Sequence, residues 1–567
     1  MEHKNSINKP FWRNSLILIL LFSVIGVITG FLGFKIEEHK DIGDSLYTTI
    51  QLFVLHHSFD GPTDWFLQIS RWSIFVVVIL LSKDVLSILF REQLKFLKIT
   101  FCYRNHIIFC GLTEQSLLLA KKLAEQNSDK QMIFIDNNAN NPLHRSLYNL
   151  NASLITGDPN SETILKLANI HKAKKVFVFT GNDEQNVENA KSIFTLLKMN
   201  FQDRTTPLKC YVLIKDRELK NILEETALFK YTVKENERFF FDGILLNMNE
   251  IGIKYGICMN IDKILPENKK LEDVPEFLIV GLTDKAREVI LNLAHCLTMK
   301  RESFRFIVVE KNKETISDFN VKCSYLQDFA KIDYTDNLNE ICENKAFTSV
   351  FVCAENQAEA LKTAIFVRNI IADNRPNIFI FPEKSESFNE IFNVEGYKIL
   401  PLKNRNIFLI NTLEEAMQYV IKLNPEIEIL AEMAHNLWRK KDEKGNYADK
   451  DEYCTISGHF KQTNRNQVLD NYLRTLIATG KRFDAPRQGS LVSFSDQDRE
   501  TLAMIEHRRW MIEKYINGWR KCEKGRKDEF KIHNCLKMWN DNLPEDEKIK
   551  DYKAIDLMIN CLNKQFV

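Results

Sequence analysis

The sequence predicts a membrane α-hairpin followed by two α/β domains and a mostly α-helical module. Three observations predict this fold class. Two apolar runs lie within the first 90 residues, and each is long enough to cross a bilayer as a helix. A strand ending in Gly-Leu-Thr occurs twice, at Gly111 and Gly281, which indicates a duplication at domain scale. His-x-x-Trp also occurs twice near the C-terminus, at helical spacing. We place the four parts at residues 1–100, 104–255, 256–425 and 428–567.

Composition narrows the classes of function. The 567 residues are enough for several domains. Lys and Arg (77) balance Asp and Glu (76), so the formal net charge is +1, and a general nucleic-acid footprint is absent. The twelve cysteines include no C-x-x-C pair, which favours a reduced compartment over a disulfide frame or a zinc site. We therefore predict no nucleic-acid partner and no bound metal.

The N-terminal part has the length and charge pattern of a membrane hairpin. Residues 15–34 carry no charge, and about twenty helical residues span the hydrocarbon core. A second apolar run covers residues 72–90. Lys and Arg flank the outer ends of both runs, while Asp and Glu are frequent between them. The positive-inside rule then places both termini in the cytoplasm, with the chain crossing the cell's inner membrane twice.

The segment between the two runs, residues 46–57, reads LYTTIQLFVLHH and is too short to cross. Its order and spacing resemble the pore helix of two-span potassium channels, which implies a re-entrant half-helix. The Thr-Val-Gly-Tyr-Gly filter that follows in such channels is replaced by LHHSFDG at residues 55–61. The alternative is a plain anchor made of two apolar helices. The candidate pore residues are Thr48, Thr49, His56, His57, Lys83 and Asp84.

The first α/β domain opens with the parts of a dinucleotide-binding fold. A buried-strand run, residues 106–111, ends in glycine, and the next strand ends in Asp136. In such folds helix amides meet phosphate and the acid takes a ribose hydroxyl. The glycine pattern is degraded, however, because Thr113 and Ser116 stand where glycines are expected.

Three further elements, SLITGDP, AKKVFVFT and GNDEQN at residues 153–186, strengthen the fold prediction. Together with the opening strand they resemble the potassium-conductance regulator domain, also called TrkA-N or RCK, over residues 104–255. The resemblance implies a doubly wound Rossmann-like sheet that dimerises and often joins a gating ring. It also implies NAD or another adenine nucleotide as a regulatory ligand. The alternative is a scaffold whose site has decayed. The implied cleft residues are Gly111, Thr113, Asp136, Asp158 and Asp183.

The second α/β domain repeats the first. FLIVGLTDKA at residues 277–286 parallels IIFCGLTEQS at 107–116, and Glu310 stands where Asp136 does. The repeat looks like the paired TrkA-N arrangement of channels and transporter subunits. Charged Lys285, Arg287 and Glu288 crowd its turn, so we predict structural use. Residues 239–255 are expected to form a packing or crossover helix.

The C-terminal part repeats LAEMAHNLW and LAMIEHRRW, followed by Gly-Trp-Arg at residues 518–520. These elements resemble the Ryr domain, first named from ryanodine receptors, and imply a mostly helical module. Guanidinium groups suit phosphate, and indole faces suit a base or sugar. The alternative is that Trp and His pack the core. The candidate ligand residues are His435, Trp438, His507, Arg508, Trp510, Trp519 and Arg520.

These parts together predict a ligand-gated ion channel or membrane pore-forming effector, potassium-channel-like but without the usual filter. A small nucleotide-like molecule would control it through the TrkA-N and Ryr domains, and the chain would form a homo-oligomer, expected as a tetramer. We predict no enzyme, because no acid, base or nucleophile is arranged beside the glycine turn. The alternative function is a non-conducting, membrane-anchored nucleotide sensor or scaffold.

Overall fold

The computed structural model divides the chain into two compact units, residues 1–103 and 104–567, which we describe separately. It describes residues 10–36, 39–54, 64–126, 130–150, 152–201, 206–226, 228–229, 240–265, 274–298, 304–354, 356–371, 376–382, 406–422, 425–439, 453, 456, 458–470 and 494–564.

The N-terminal unit is helical where described. Its helices are α1 (Pro10–Ile36), α2 (Ile42–Gln51), α3 (Trp65–Leu89) and α4 (Arg91–Cys102), with a 3₁₀ turn at Leu52–Val54. The segments Ile17–Ile36 and Trp65–Ser82 are long and apolar enough to cross a membrane. The second run was expected from residue 72, but its helix begins at Trp65. Polar Gln68, Ser70 and Arg71 interrupt the apolar pattern there without interrupting the helix.

Glycines on one face of α1 let α3 approach closely. A Cβ at Gly26 would lie 2.7 Å from the Ile74 side chain, and one at Gly33 would lie 2.7 Å from Leu67. The Ser70 hydroxyl donates to the Gly26 carbonyl oxygen at 2.7 Å. Small residues are typical where membrane helices pack, since backbones must meet when no hydrophobic force joins them.

Helix α2 lies on the same glycine face. Thr49 is fully buried, and a Cβ at Gly30 would lie 2.9 Å from its methyl group. The Thr49 hydroxyl donates to the Ser45 carbonyl oxygen at 2.7 Å, so its polar group is satisfied within the helix. The short helix predicted at 46–57 begins earlier, at Ile42. Residues 55–57 lie outside the described part of the chain.

The first α/β domain is a doubly wound sheet with the parallel strand order β3-β2-β1-β4-β5-β6, as predicted. Its elements are β1 (Ile107–Cys110), α5 (Glu114–Gln126), β2 (Met132–Asp136), α6 (His144–Leu147), β3 (Ser153–Thr156), α7 (Glu162–Leu167), β4 (Lys175–Val178), α8 (Asp183–Asn200), β5 (Leu208–Leu213), α9 (Arg217–Leu223), β6 (Phe241–Leu246), α10 (Met248–Met259) and α11 (Ile261–Ile264).

Strands β1 and β2 of this sheet are buried along their whole length. All four residues of β1 and all five of β2 are buried, because helices cover both faces of a parallel sheet. The Phe109 ring stacks on Phe134 at 4.6 Å and on Phe177 at 5.2 Å between centroids. These cross-strand rings hold β1 between its two neighbours.

The second α/β domain has the same topology, with the order β12-β11-β10-β7-β8-β9, which confirms the predicted duplication. Its elements are β7 (Glu276–Val280), α12 (Asp284–Thr298), β8 (Arg305–Val309), α13 (Lys313–Lys322), β9 (Lys331–Thr335), α14 (Leu338–Asn344), β10 (Ser349–Val352), α15 (Gln357–Ile370), β11 (Asn377–Ile380), β12 (Ile407–Leu409) and α16 (Thr412–Lys422).

The two α/β domains exchange their last helices. Ile253 and Ile257 of α10 belong to the core beneath the second sheet, whereas Met417 and Val420 of α16 belong to the core beneath the first. The expectation of one helix over residues 239–255 was wrong in its first half. Residues 241–246 form β6, all six of them buried, because the aromatic and branched run FDGILL suits a buried strand.

The exchanged helices cross at two glycines of α10. A Cβ at Gly252 would overlap the Thr412 carbonyl oxygen, and one at Gly256 would overlap the Ile410 side chain. The spacing of four residues puts both glycines on one helix face. The crossing therefore brings backbone against backbone.

The described C-terminal elements are mostly helical and pack on the second α/β domain. Ile512 and Trp519 share a core cluster with Phe277 of β7. Helix α19 starts with a capping box between Ser495 and Asp498. The elements are α17 (Pro425–Trp438), α18 (Gly458–Leu469), α19 (Asp496–Ile516), β13 (Arg520–Lys521), β14 (Arg526–Lys527), β15 (Ile532–His533) and α20 (Glu545–Lys564).

We expect Gly252→Ala to lower the thermal unfolding midpoint of the detergent-solubilised protein. The added methyl group would overlap the Thr412 backbone, and overpacking costs about 1–3 kcal/mol. The helix preference of Ala over Gly, about 1 kcal/mol, offsets only part of that cost. Circular dichroism at 222 nm would measure the midpoint.

Gly256→Ala is the matched control on the same helix, since it meets the branch of the Ile410 side chain rather than backbone. Its midpoint should fall less. A midpoint for Gly252→Ala equal to or above that of the unmodified protein would contradict the tight crossing.

Candidate functional site

The candidate site lies at the point where the strand order of the first sheet reverses. Strands β1 and β4 are neighbours there, and their connections leave in opposite directions. Ligands of doubly wound folds bind outside the carboxyl ends of the strands at this crevice. Gly111 follows β1 and Gly181 follows the end of β4, both with positive φ, at 98° and 92°.

Gly111 has a packing reason to be glycine. A Cβ there would lie 2.7 Å from both the Phe179 carbonyl oxygen and the Thr180 Cα. The turn after β1 therefore passes directly against the chain that follows β4. Glycine permits this approach with or without a bound ligand.

The first turn of α5 uses its own hydroxyls. The Ser116 hydroxyl accepts from the Thr113 amide at 2.9 Å, and the Thr113 hydroxyl accepts from the Ser116 amide at 3.2 Å. Exposed Glu114 is the first residue of the helix. The amides of Thr113 and Ser116, two of the donors that could bind a phosphate, therefore already donate hydrogen bonds to these hydroxyls. An anion at this end of the helix would also face the Glu114 carboxylate.

Asp136, predicted to accept a ribose hydroxyl, is buried and already accepts two side-chain hydrogen bonds. Asn141 Nδ2 donates to its carboxylate at 2.8 Å, and His144 Nε2 lies 3.0 Å from the same oxygen. Asn141 also donates to the Leu112 carbonyl oxygen at 2.8 Å. This amide links Asp136 to the turn after β1. Asn141 and His144 were missed at the sequence level, because the NNPLH segment carries no motif.

The two remaining acids hold loops of the same sheet edge. Exposed Asp158 accepts from the Asn160 amide at 2.9 Å. Asp183 accepts from the amides of Lys215 and Asp216, at 3.0 and 3.1 Å, and so ties the start of α8 to the end of β5. The Lys215 ammonium donates to the Gly181 carbonyl oxygen at 2.9 Å. This exposed cation at the crevice was also missed.

The corresponding turn of the second copy is held by internal contacts. Glu310 accepts from the Leu282 amide at 3.1 Å. Glu288 is buried and pairs with Arg217 of the first copy, and Arg287 pairs with Glu218 at 2.8 Å. The charges that crowd this turn thus join the two copies, and structural use stays the prediction for it.

His507 of the C-terminal elements lies in the core. Its Nδ1 lies 3.0 Å from a carboxylate oxygen of Asp551, and its Nε2 lies 3.0 Å from the Lys537 carbonyl oxygen. Burial raises the pKa of Asp551 to about 6, against the effect of the His507 hydrogen bond. Both ring nitrogens of His507 therefore have protein partners.

The predicted aromatic and guanidinium residues are split between core and surface. Trp519 is buried, with the Lys514 ammonium 4.1 Å from its ring centroid. Arg520 is exposed, with its guanidinium 5.6 Å from the Tyr325 ring centroid. Trp510 and Arg508 are half-buried. The Trp519 face is already covered by a cation, and the ligand role of these residues stays a prediction.

Several predicted residues are described only in part. His435 is half-buried, with its ring 6.0 Å from Tyr453. Thr48 and Thr49 are buried in α2. Among the described residues, no group of three or more His, Cys, Asp or Glu side chains is placed to hold a metal ion. Five further predicted positions lie outside the described chain or side chains. The positions outside the description are His56, His57 and the side chains of Lys83, Asp84 and Trp438.

The strand order and its crevice define a doubly wound, Rossmann-like fold. Residues 107–231 match the TrkA-N domain family. A search of curated proteins found no match.

Among solved structures, the chain is similar to a GsuK mutant with 12% identity and a TM-score of 0.37, over 73% of this chain and 98% of that one. It is similar to GsuK bound to ADP with 11% identity and a TM-score of 0.36, over the same shares. For the human SLO3 gating ring the identity is 9% and the TM-score 0.34, over 56% and 84%.

His533 generates a prediction of pH dependence. Its buried Nδ1 accepts from the Cys535 amide at 3.0 Å, and burial, followed by the charge of Arg526, lowers its pKa to about 4. The unfolded chain, with a His pKa near 6.5, binds a proton between these values while the folded chain does not. Stability should therefore fall as the pH drops from about 6.5 to 4.

His533→Gln keeps an acceptor but does not titrate, so we expect a shallower fall of the unfolding midpoint across that pH window. Differential scanning fluorimetry of both proteins at several pH values would measure it. Asn534→Gln, at the neighbouring residue, exchanges one side chain that does not titrate for another, so it is the control and should keep the original slope. Equal slopes for His533→Gln and the unmodified protein would count against this assignment.

Proposed function

We propose that the protein is a ligand-gated ion channel or membrane pore-forming effector, related to potassium transport. The observation that carries the proposal is helix α2. It is too short to cross a bilayer, lies in sequence between two helices that are long enough, and buries Thr49 against the glycine face of α1. A plain anchor needs no such helix, and half-length elements at membrane depth are tolerated where they are buried in protein or line a water-filled cavity.

The regulatory half of the proposal is supported by the TrkA-N match over residues 107–231. The ligand proposed for the crevice is NAD or another adenine nucleotide, controlling a homotetramer in the inner membrane with both termini in the cytoplasm. Residues 428–567 are proposed as a Ryr-type module, on which exposed Arg520 is the best placed of the predicted ligand residues. No catalytic role is proposed.

The second candidate function is a non-conducting, membrane-anchored nucleotide sensor or scaffold. It is favoured by the segment LHHSFDG, which lacks the glycine pattern of a selectivity filter. The two candidates differ in one measurable property, because only the first conducts ions. Recording from the purified protein in planar bilayers, with a panel of adenine nucleotides, separates them.

We expect Gly30→Ala to abolish or strongly reduce ion flux through proteoliposomes. A Cβ there would lie 2.7 Å from the Ser70 hydroxyl and 2.9 Å from the Thr49 methyl group. Helix α2 would therefore be displaced from its packing position against α1. Gly43→Ala is the matched control, since nothing lies within 4 Å of its Cβ. Full flux in Gly30→Ala would mean that α2 does not shape a pathway, and no flux in any protein favours the anchor.

We expect Asp136→Ala to weaken adenine-nucleotide binding by about 1–3 kcal/mol, since a hydrogen bond to a charged acceptor is lost. Isothermal calorimetry would measure the affinity. Glu162→Ala removes an acid that pairs with Lys166 on the surface and should bind normally. Unaltered affinity in Asp136→Ala would show that the carboxylate serves only Asn141 and His144.

A further inference from the structure

A cavity of about 330 Å³ lies where the first copy, the second copy and the C-terminal helices meet. Its lining comes from helices α9, α10, α12, α16, α18 and α19 and from residues next to them. This volume is in the range of small-molecule sites. The cavity is separate from the crevice beside Gly111. The lining residues that matter here are Lys254, Tyr255, Asn292, His295, Tyr419 and Gln462.

Most charges on the cavity wall are paired with each other. The Lys220 ammonium lies 3.2 Å from Glu224 and 3.1 Å from Glu250. Glu513 accepts from Arg509 and, at 2.8 Å, from Asn466. Such pairs hold the wall in shape, since breaking one leaves an uncompensated buried charge.

Lys254 is the exception on this wall. The Lys254 ammonium forms an ion pair with a carboxylate oxygen of Asp470, at 3.7 Å. This distance is longer than a hydrogen bond. That oxygen is also 3.1 Å from His295 Nε2. Burial acts to lower the pKa of Lys254, but the charges of Asp470 and Glu513 hold it above its ordinary value. Among the described residues, the Lys254 ammonium therefore has its ion-pair partner beyond hydrogen-bond distance, and it can donate hydrogen bonds to a ligand in the cavity.

The cavity wall also has an aromatic part, which is formed by two tyrosine rings. The Tyr255 and Tyr419 rings lie 6.5 Å apart, edge to face, and both line the cavity. The Tyr419 hydroxyl accepts from Gln462 Nε2 at 2.7 Å, which fixes that ring. Flat aromatic walls with a few placed polar groups are typical of sites for planar ligands.

We propose that this cavity binds a nucleoside-sized ligand with at most one negative charge. Its planar ring would stack on one of the two tyrosine rings, Tyr255 or Tyr419, and meet the other edge-on, while an acceptor group would take hydrogen bonds from Lys254. The charge limit follows from the wall, on which carboxylates outnumber cations. The acids are Glu224, Glu250, Asp470 and Glu513, and the cations are Arg217, Lys220 and Lys254.

Such a ligand would touch all three parts of this unit at once. Residues from α10, α12 and α18 would contact one molecule, so binding stabilises the arrangement that forms the cavity. The inference does not rest on conduction or on nucleotide binding beside Gly111. It adds a second ligand position to the chain.

The test uses the purified full-length protein with adenosine, 3′,5′-cyclic AMP and ATP as probes, measured by calorimetry. Adenosine or cyclic AMP should bind at least tenfold more tightly than ATP at this site. Lys254→Met should weaken cyclic AMP at least tenfold and adenosine less, Lys254→Arg should restore part of the affinity, and Tyr255→Leu should weaken both. Lys166→Met, at an exposed surface pair, is the control and should bind both probes as the unmodified protein does.

A measurement on the unmodified protein guards against variants that fail to fold. Half-buried Cys258 lines the cavity, so a bound ligand should slow its alkylation while exposed Cys102 reacts at the same rate, as followed by peptide mass spectrometry. Binding by neither adenosine nor cyclic AMP would overturn the proposal. Binding without protection of Cys258, or binding that Lys254→Met and Tyr255→Leu leave intact, would overturn it as well.

Discussion

The crossing of α10 and α16 is the constraint on which the larger unit depends. Each α/β domain ends in a helix that packs beneath the other domain's sheet. Neither domain therefore has a complete core alone, and residues 104–567 form one compact unit. The contact requires Gly252, because only a residue without a Cβ lets α10 pass against the Thr412 carbonyl oxygen. A change of this single residue would act on both cores.

The same crossing positions the buried charges that lie between the α/β domains and the C-terminal helices. Helix α10 carries Lys254 on the side where α12 and the C-terminal helices meet it. Buried Lys461 of α18 pairs with Asp242 of β6 at 2.9 Å. Burial acts to raise the pKa of Asp242, but the nearby positive charges, led by Lys461, together outweigh it, so the pKa of Asp242 lies below its ordinary value. Removing one partner of a buried pair costs about 3–5 kcal/mol. These pairs therefore fix the position of the C-terminal helices on the α/β domains.

In the N-terminal unit, small residues bring the helices together beside a small apolar cluster of Phe34, Leu52, Leu67 and Ile74. Gly26, Gly30 and Gly33 bring the α1 backbone against side chains of α3 and α2. Lipid tails are as apolar as leucine, so close packing and hydrogen bonds join such helices. The Ser70 hydroxyl bonded to the Gly26 carbonyl oxygen is one of these bonds. The outward faces remain apolar, as the exposed Leu20 and Ile28 illustrate.

The sequence by itself determined the local elements: two apolar helices, and a strand that precedes Gly111 and again Gly281, in two copies of one pattern. Apolar period and glycine punctuation are local signals, so they predict strands and their order. Tertiary structure alone decided which side chains meet. Asp136 reads as a ribose acceptor in sequence, yet Asn141 and His144 occupy it. Lys254, Tyr419 and Asp470 are scattered over more than 200 residues and carry no motif, and they share one cavity only because α10 and α16 are exchanged between the sheets.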